Sequence, residues 1–235
     1  MPTRRETGAA PAVLAPAPPY RVVIFDFDGT LADSIGWFRG VLNDVARAYR
    51  FRTVSEPEFE MLRGCDSRTI LAHLGVAGWK LPLIARDMRR RAAAASADIS
   101  LFPGIPDMLD DLATAGITLA VVSSNDEANV RRVLGPAGAP IRRFLCGAGL
   151  FGKAAAFRRI RRHSGLPAAR ILAIGDEVRD IEAARRTGLH AAAVTWGYAT
   201  PARLAASRPT LTFSHVGEIA PALTGAGAAG AAAGY

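Results

Sequence analysis

The apolar run Val22-Val23-Ile24-Phe25 stops at Asp26-Phe27-Asp28-Gly29-Thr30. Two neighbouring carboxylates repel one another and resist desolvation, so a strand that is to be buried does not end this way without compensation. Residues two apart in an extended segment can point to the same side. Asp26 and Asp28 can therefore face one place. A second apolar run, Ile171 to Gly175, ends at Asp176, with Asp180 four residues on and able to share its helix face. A third ends in Ser123-Ser124-Asn125. Carboxylates gathered from separate chain segments suit a hard, oxygen-seeking cation such as Mg²⁺, which would remove the repulsion. A metal beside a carboxylate nucleophile points to phosphoryl transfer.

The elements that must position these residues alternate between strand and helix. Apolar, β-branched runs predict strands at Arg21–Phe27, Ile117–Ser124, Arg170–Asp176 and His190–Gly197, with a weaker one in Arg142–Gly147. Helical patterns fill 35–50 and return across 56–97. Others follow Phe102-Pro103-Gly104 up to Gly116, start at Asn125 or Asp126, cover 153–164, and span 178–187 before Gly188. Four apolar strands separated by helices imply an α/β fold with a doubly wound parallel sheet. The block 35–97 is too long for one crossover and reads as an inserted helical domain. The expected organisation is a lead at 1–19 and a tail at 224–235, both disordered, a core of 20–34 and 98–223, and the helical insert 35–97 between. In an open parallel sheet, sites form beyond the carboxyl ends of the strands. The acids and the serines fall there.

Composition narrows the classes. The chain has 235 residues, is 50% hydrophobic and carries a formal net charge of +8. Of its 29 basic residues only Lys80 and Lys153 are lysines. The arginines are scattered over separate helical segments without stacking aromatics between them, which argues against nucleic-acid binding. The longest uncharged run, after Glu218, consists of Ala and Gly rather than the large apolar residues of a membrane span. Pro11, Pro16, Pro18 and Pro19 interrupt the N-terminal stretch as an export signal. Cys65 and Cys146 form no metal or redox spacing. These features lead to the expectation of a cytoplasmic protein. His73, His163, His190 and His215 lack paired ligand spacing.

Taken in order, "DFDGT", "VVSSN", the lone Lys153 and "GDEVRD" resemble the four motifs of the haloacid dehalogenase superfamily of phosphohydrolases, over about residues 20–215. "DFDGTLADS", "LFPG" and "GDEVRDIEAARRTGL" are most similar to its phosphoglycolate phosphatase-like branch. The resemblance implies a Rossmann-like core with the insert as a helical cap. It implies Asp26 as the nucleophile that forms an aspartyl-phosphate, and Asp28 as the general acid and then the base for water. It implies Mg²⁺ held by Asp26, the Asp28 backbone carbonyl and Asp176, with Asp180 orienting a metal-bound water or Lys153. Ser124 and Lys153 would hold phosphoryl oxygens, with backbone N–H groups near Phe27, Gly29 and Asn125 completing the cradle. Ser123 competes with Ser124 for that position.

Asp28 must keep a proton long enough to donate it, so its pKa is expected above that of Asp26. Glu177 stands where the family often has a small polar residue. In the cap, Arg63 and Arg68 flank Gly64, and either could bind the carboxylate or hydroxyls of a small phosphate ester. The substrate expected is a small phosphorylated metabolite, the assembly a monomer or homodimer. The alternatives are a phosphosugar mutase or phosphotransferase on the same fold and a non-catalytic small-molecule binding protein.

Overall fold

The computed structural model describes residues 20–147, 149 and 152–225. The expected lead at 1–19 and the expected tail from 226 onward lie outside the described residues.

In chain order the elements are β1 (Val22–Phe25), β2 (Ala32–Asp33), α1 (Ile35–Tyr49), α2 (Glu56–Arg63), α3 (Ser67–Leu74), α4 (Leu81–Ala94), β3 (Ser100–Leu101), α5 (Ile105–Thr114), β4 (Thr118–Val122), α6 (Glu127–Leu134), β5 (Ile141–Leu145), α7 (Lys153–Ser164), β6 (Ile171–Gly175), α8 (Val178–Arg186), β7 (His190–Val194), α9 (Pro201–Ala206), β8 (Leu211–Phe213) and α10 (Ile219–Thr224). Thr224, expected in the tail, closes a helix.

Six strands form one sheet in the order β5-β4-β1-β6-β7-β8, with every neighbouring pair parallel. The chain runs outward from β1 through β4 to β5, then crosses back to β6 and out through β7 to β8. The order therefore reverses next to β1, where α/β sheets open a crevice for ligands. The strands alternate their side chains between two cores, as the period of two requires. Val23 and Phe25 join Leu119, Val121, Leu172 and Ile174 against α5 and α10. Val22 and Ile24 join Ala120, Val122, Ile171 and Ala173 against α7, α8 and α9. Phe25 is fully buried, and a side chain of that kind contributes roughly 1.5–3 kcal/mol by leaving water.

The four helices α1 to α4 lie between β2 and β3. Those two short strands pair antiparallel, Ala32 with Leu101 and Asp33 with Ser100, so the chain leaves and re-enters the core side by side. The helical segment has a small core of its own around Val54, Phe59, Leu62 and Leu74. Its local order is written in its caps. Ser55 and Glu58 make a reciprocal capping box on α2, and Asp66 accepts the Thr69 N–H at 2.9 Å on α3. No helix among the described residues is long and apolar enough to cross a membrane.

Candidate active site

The carboxyl ends of three adjacent strands, β4, β1 and β6, supply the site. Carboxylate oxygens of Asp26, Asp176 and Asp180 lie within 4.8 Å of one another, and all three residues are buried. Lys153, at the start of α7, is 3% exposed. Its Nζ sits 2.5 Å from Asp26 Oδ2 and also pairs with Asp180 Oδ1. Asp26 Oδ1 accepts the Phe27 N–H at 2.8 Å. Asp26 Oδ2 is buried and has no hydrogen bond of good geometry among the described residues.

Asp176 is fully buried and held at both oxygens. Thr30 Oγ1 donates to Oδ1 at 2.8 Å and the Tyr198 N–H donates to Oδ2 at 2.7 Å. Two glycines make room for it. Gly29 adopts φ +77°, and a Cβ there would lie 2.9 Å from Asp176 Cγ; a Cβ at Gly197 would strike Asp176 Cβ. Trp196 packs edge-on against Phe102 and donates from Nε1 to the Thr30 carbonyl at 3.2 Å, so it braces the loop.

The electrostatics follow from one ammonium facing three buried carboxylates. Burial, then the charges of Glu177 and Asp26, pushes the Asp176 carboxyl well above its usual range. Burial pushes Asp180 up to about 6, with Lys153 pulling the other way. Burial, then the Asp26 charge, pushes Asp28 up to about 6, against hydrogen bonds from Ser34 and Asn125. Burial lowers the Lys153 pKa, but Asp180 and Asp26 outweigh it and the net shift is upward. Three buried carboxylates that share the Lys153 ammonium, with Asp26 Oδ2 touching only that ammonium, fit a hard divalent cation; Asp26 and Asp176 offer oxygens of the right kind.

The sequence reading and the geometry differ in several places. Asp180 pairs with Lys153, one of the two partners expected for it, but also stands within the acid cluster, which was not expected. The Asp28 carboxylate is not part of that cluster; it faces the cavity and takes a hydrogen bond from Asn125 Nδ2 at 3.3 Å. The three N–H groups expected in a phosphate cradle have partners within the chain. Phe27 donates to Asp26, Gly29 donates to the Ala32 carbonyl at 2.9 Å, and Asn125 donates to Ser123 Oγ at 3.0 Å. Ser124 lines the cavity, whereas Ser123 is 1% exposed and spends its hydroxyl on Asn125.

Arg63 lines the cavity but spends three of its five N–H groups within the chain. Its Nε donates to the Tyr198 carbonyl at 2.9 Å, Nη2 to the Gly197 carbonyl at 3.1 Å and Nη1 to Glu60 at 2.8 Å. It clamps α2 to the loop after β7. The Arg68 side chain lines the cavity without a hydrogen bond or ion pair among the described residues.

Sequence reasoning missed the Arg89 tie, in which α4 reaches Asp126 at 3.1 Å and the Ser124 carbonyl at 3.4 Å. It also missed Arg179, which lines the cavity and pairs with Glu177 at 2.5 Å. Thr30 stood in the quoted motif with no role, and Tyr198 carried no signal. Ser34 and Tyr198 share a hydroxyl contact at 3.0 Å.

Fold and site together define the class: an α/β enzyme with an acidic centre at the point where its parallel sheet reverses order. Comparison with known proteins agrees. A family model described as haloacid dehalogenase-like hydrolase matches residues 23–194. The chain is 31% identical over 206 residues to the phosphoglycolate phosphatase of Synechococcus elongatus, covering 87% of this chain and 97% of that one. It is 30% identical over 187 residues to the tyrosine-protein kinase PtkA of Mycobacterium tuberculosis, covering 76% of this chain and 63% of the kinase. A haloacid dehalogenase-like hydrolase from Streptococcus pneumoniae superposes with a TM-score of 0.71 at 19% identity over 86% of this chain and 97% of that one. CbbY from Rhodobacter sphaeroides, solved with phosphate, does so at 0.67 and 23% identity over 85% and 96%. The chain belongs to the haloacid dehalogenase-like hydrolase family, in its phosphoglycolate phosphatase-like branch, and is an enzyme of the phosphatase type.

Proposed function

We propose that this chain is a Mg²⁺-dependent phosphatase that hydrolyses phosphate monoesters of small metabolites through an aspartyl-phosphate, with α1 to α4 acting as a cap. The observation that carries this reading is the cluster of Asp26, Asp176 and Asp180 around Lys153 at the sheet's reversal point. Asp26, the Asp28 carbonyl and Asp176 would hold the cation, which supplies charge neutralisation so that a carboxylate can approach an anionic phosphoryl group.

The remaining chemistry belongs to the chain. An Asp26 carboxylate oxygen attacks phosphorus, and the bond from phosphorus to the ester oxygen breaks. Asp28, raised by burial to about 6, gives its proton to the departing oxygen. Asp28 then takes a proton from water as that water attacks the phosphorus of the acyl phosphate. The Asp26 carboxylate is regenerated and inorganic phosphate leaves. Lys153 and Ser124 would hold phosphoryl oxygens, while Asp180 keeps the ammonium aimed at Asp26. Asn125 orients Asp28 through its side-chain amide.

The names of the similar enzymes make phosphoglycolate an obvious compound to assay, and sugar phosphates the next. The test is turnover of p-nitrophenyl phosphate with and without Mg²⁺, in the parent and in Asp26→Asn. The parent is expected to be active only with the metal and Asp26→Asn to be inactive with it. A parent that hydrolyses nothing in Mg²⁺ overturns the reading and favours a binding protein. The mutase alternative would give an isomeric ester from a sugar monophosphate instead of free phosphate.

A further inference from the structure

We infer that the organic part of the preferred ester is an apolar group of about ring or hexyl size, not a two-carbon acid or a sugar. This deepens the proposed phosphatase reading and rests on it. A cavity of about 750 Å³ lies between the strand ends and the helices α1 to α4. Sites of this size leave room beyond a two-carbon phosphate ester of about nine heavy atoms, for an alkyl chain and a sugar alike, so the lining decides between them.

The cavity is chemically divided. At the strand ends stand Asp28, Ser124, Asn125 and Lys153, the groups assigned to the phosphate and its chemistry. The cap contributes the half-buried Phe38 and Leu42 from α1, Leu71 from α3 and Met88 from α4. Those side chains offer nothing to a hydroxyl, so sugar hydroxyls pressed against them would lose water without gaining hydrogen bonds. An alkyl or aryl group would gain from the same contact.

The charged groups of the cavity wall are mostly engaged. Arg63 holds the Gly197 and Tyr198 carbonyls, and Arg89 holds Asp126. Arg179 is paired with Glu177, Arg186 with Glu182 at 3.7 Å and Arg203 with Asp66 at 3.7 Å, while the buried Nε of Arg179 and of Arg203 has no hydrogen bond among the described residues. Arg68 is left for a substrate carboxylate, but it is exposed, where an ion pair gains little. A substrate carboxylate would thus compete with ion pairs that most of these arginines already make, whereas apolar contact with the cap displaces no existing interaction.

The experiment compares kcat/KM of the full chain in Mg²⁺ for ethyl, butyl and hexyl phosphate, phosphoglycolate and glucose 6-phosphate, with p-nitrophenyl phosphate as the activity control. The linear alkyl esters share one leaving-group chemistry, so differences report binding of the chain in the cavity. Each methylene is expected to contribute roughly three- to fourfold, or about 80- to 250-fold from ethyl to hexyl phosphate. Both longer esters should exceed phosphoglycolate and glucose 6-phosphate. Ala85→Phe, which narrows the cavity from α4, should abolish the gain with chain length. A flat alkyl series, or a preference for phosphoglycolate or the sugar ester in an enzyme active on the control, overturns the inference and leaves the phosphatase reading standing. Absence of hydrolysis of every ester, the control included, overturns both.

Discussion

The Arg63 clamp makes a prediction that separates two roles for one residue. Its guanidinium donates two hydrogen bonds across to the core, 2.9 Å to Tyr198 and 3.1 Å to Gly197. Hydrogen bonds from a charged donor contribute roughly 1.5–3 kcal/mol each. The side chain is 26% exposed, so water recovers part of that, and about 1 kcal/mol per bond is a fair net value. Arg63→Ala should therefore cost about 2 kcal/mol of cap closure, a shift of roughly 30-fold in the closing equilibrium. If chemistry requires the closed cap, kcat/KM falls by up to that factor for every ester alike. The assay is steady-state hydrolysis of p-nitrophenyl phosphate, hexyl phosphate and phosphoglycolate by the parent and the variant. Amide exchange at Tyr198 and Thr200 gives an independent readout, because the loop loses its tether while the Thr200 N–H bond to the Arg63 carbonyl at 3.2 Å remains available. A loss confined to phosphoglycolate would refute the clamp and return Arg63 to substrate binding. So would unchanged kinetics on all three.

Other consequences follow from the same geometry. Mg²⁺ at about 100 times its dissociation constant should stabilise the parent by roughly 2.7 kcal/mol, and Asp176→Asn should abolish most of the rise in melting temperature. Gly197→Ala places a methyl group against Asp176, so activity should fall at least tenfold with a smaller change in melting temperature, read by kinetics and thermal denaturation. Asp28→Asn removes the proton donor and should lower kcat by about 10²–10⁴ on alkyl phosphates, measured at saturating ester. Asp87 in α4 is buried and accepts from Arg91 Nε at 2.9 Å and from Arg90, which holds its carboxyl below the usual range. Its stabilisation is complete above the ordinary Asp range and is lost as pH falls through the depressed value. Acid melts of Asp87→Asn should accordingly show a weaker loss of stability below about pH 4 than the parent, from a lower starting point.

What the sequence determined by itself was the sheet's central strands and the residues at their ends. The runs Val22–Phe25, Thr118–Val122 and Ile171–Gly175 are apolar because both faces of a parallel sheet are covered. Carboxylates at the ends of such runs cannot be incidental, since burial without a partner is costly. Lys153 stood out because arginine had replaced nearly every other lysine.

Short or edge elements were less legible. The two-residue pair of β2 and β3, the three-residue β8 and the six-residue α9 and α10 carry too few positions for a periodicity, and they form because neighbours already in place supply their partners. Tertiary structure alone decided which polar groups were spent. Thr30 and Asp176 lie 146 positions apart, and Arg63 and Tyr198 lie 135 apart, so no local pattern links them. An arginine's donors look identical in sequence whether they hold a backbone carbonyl, as at Arg63, or none, as at Arg68. The difference is geometric: the crossovers that bring α2 against the loop after β7 give one guanidinium its carbonyls and leave the other without.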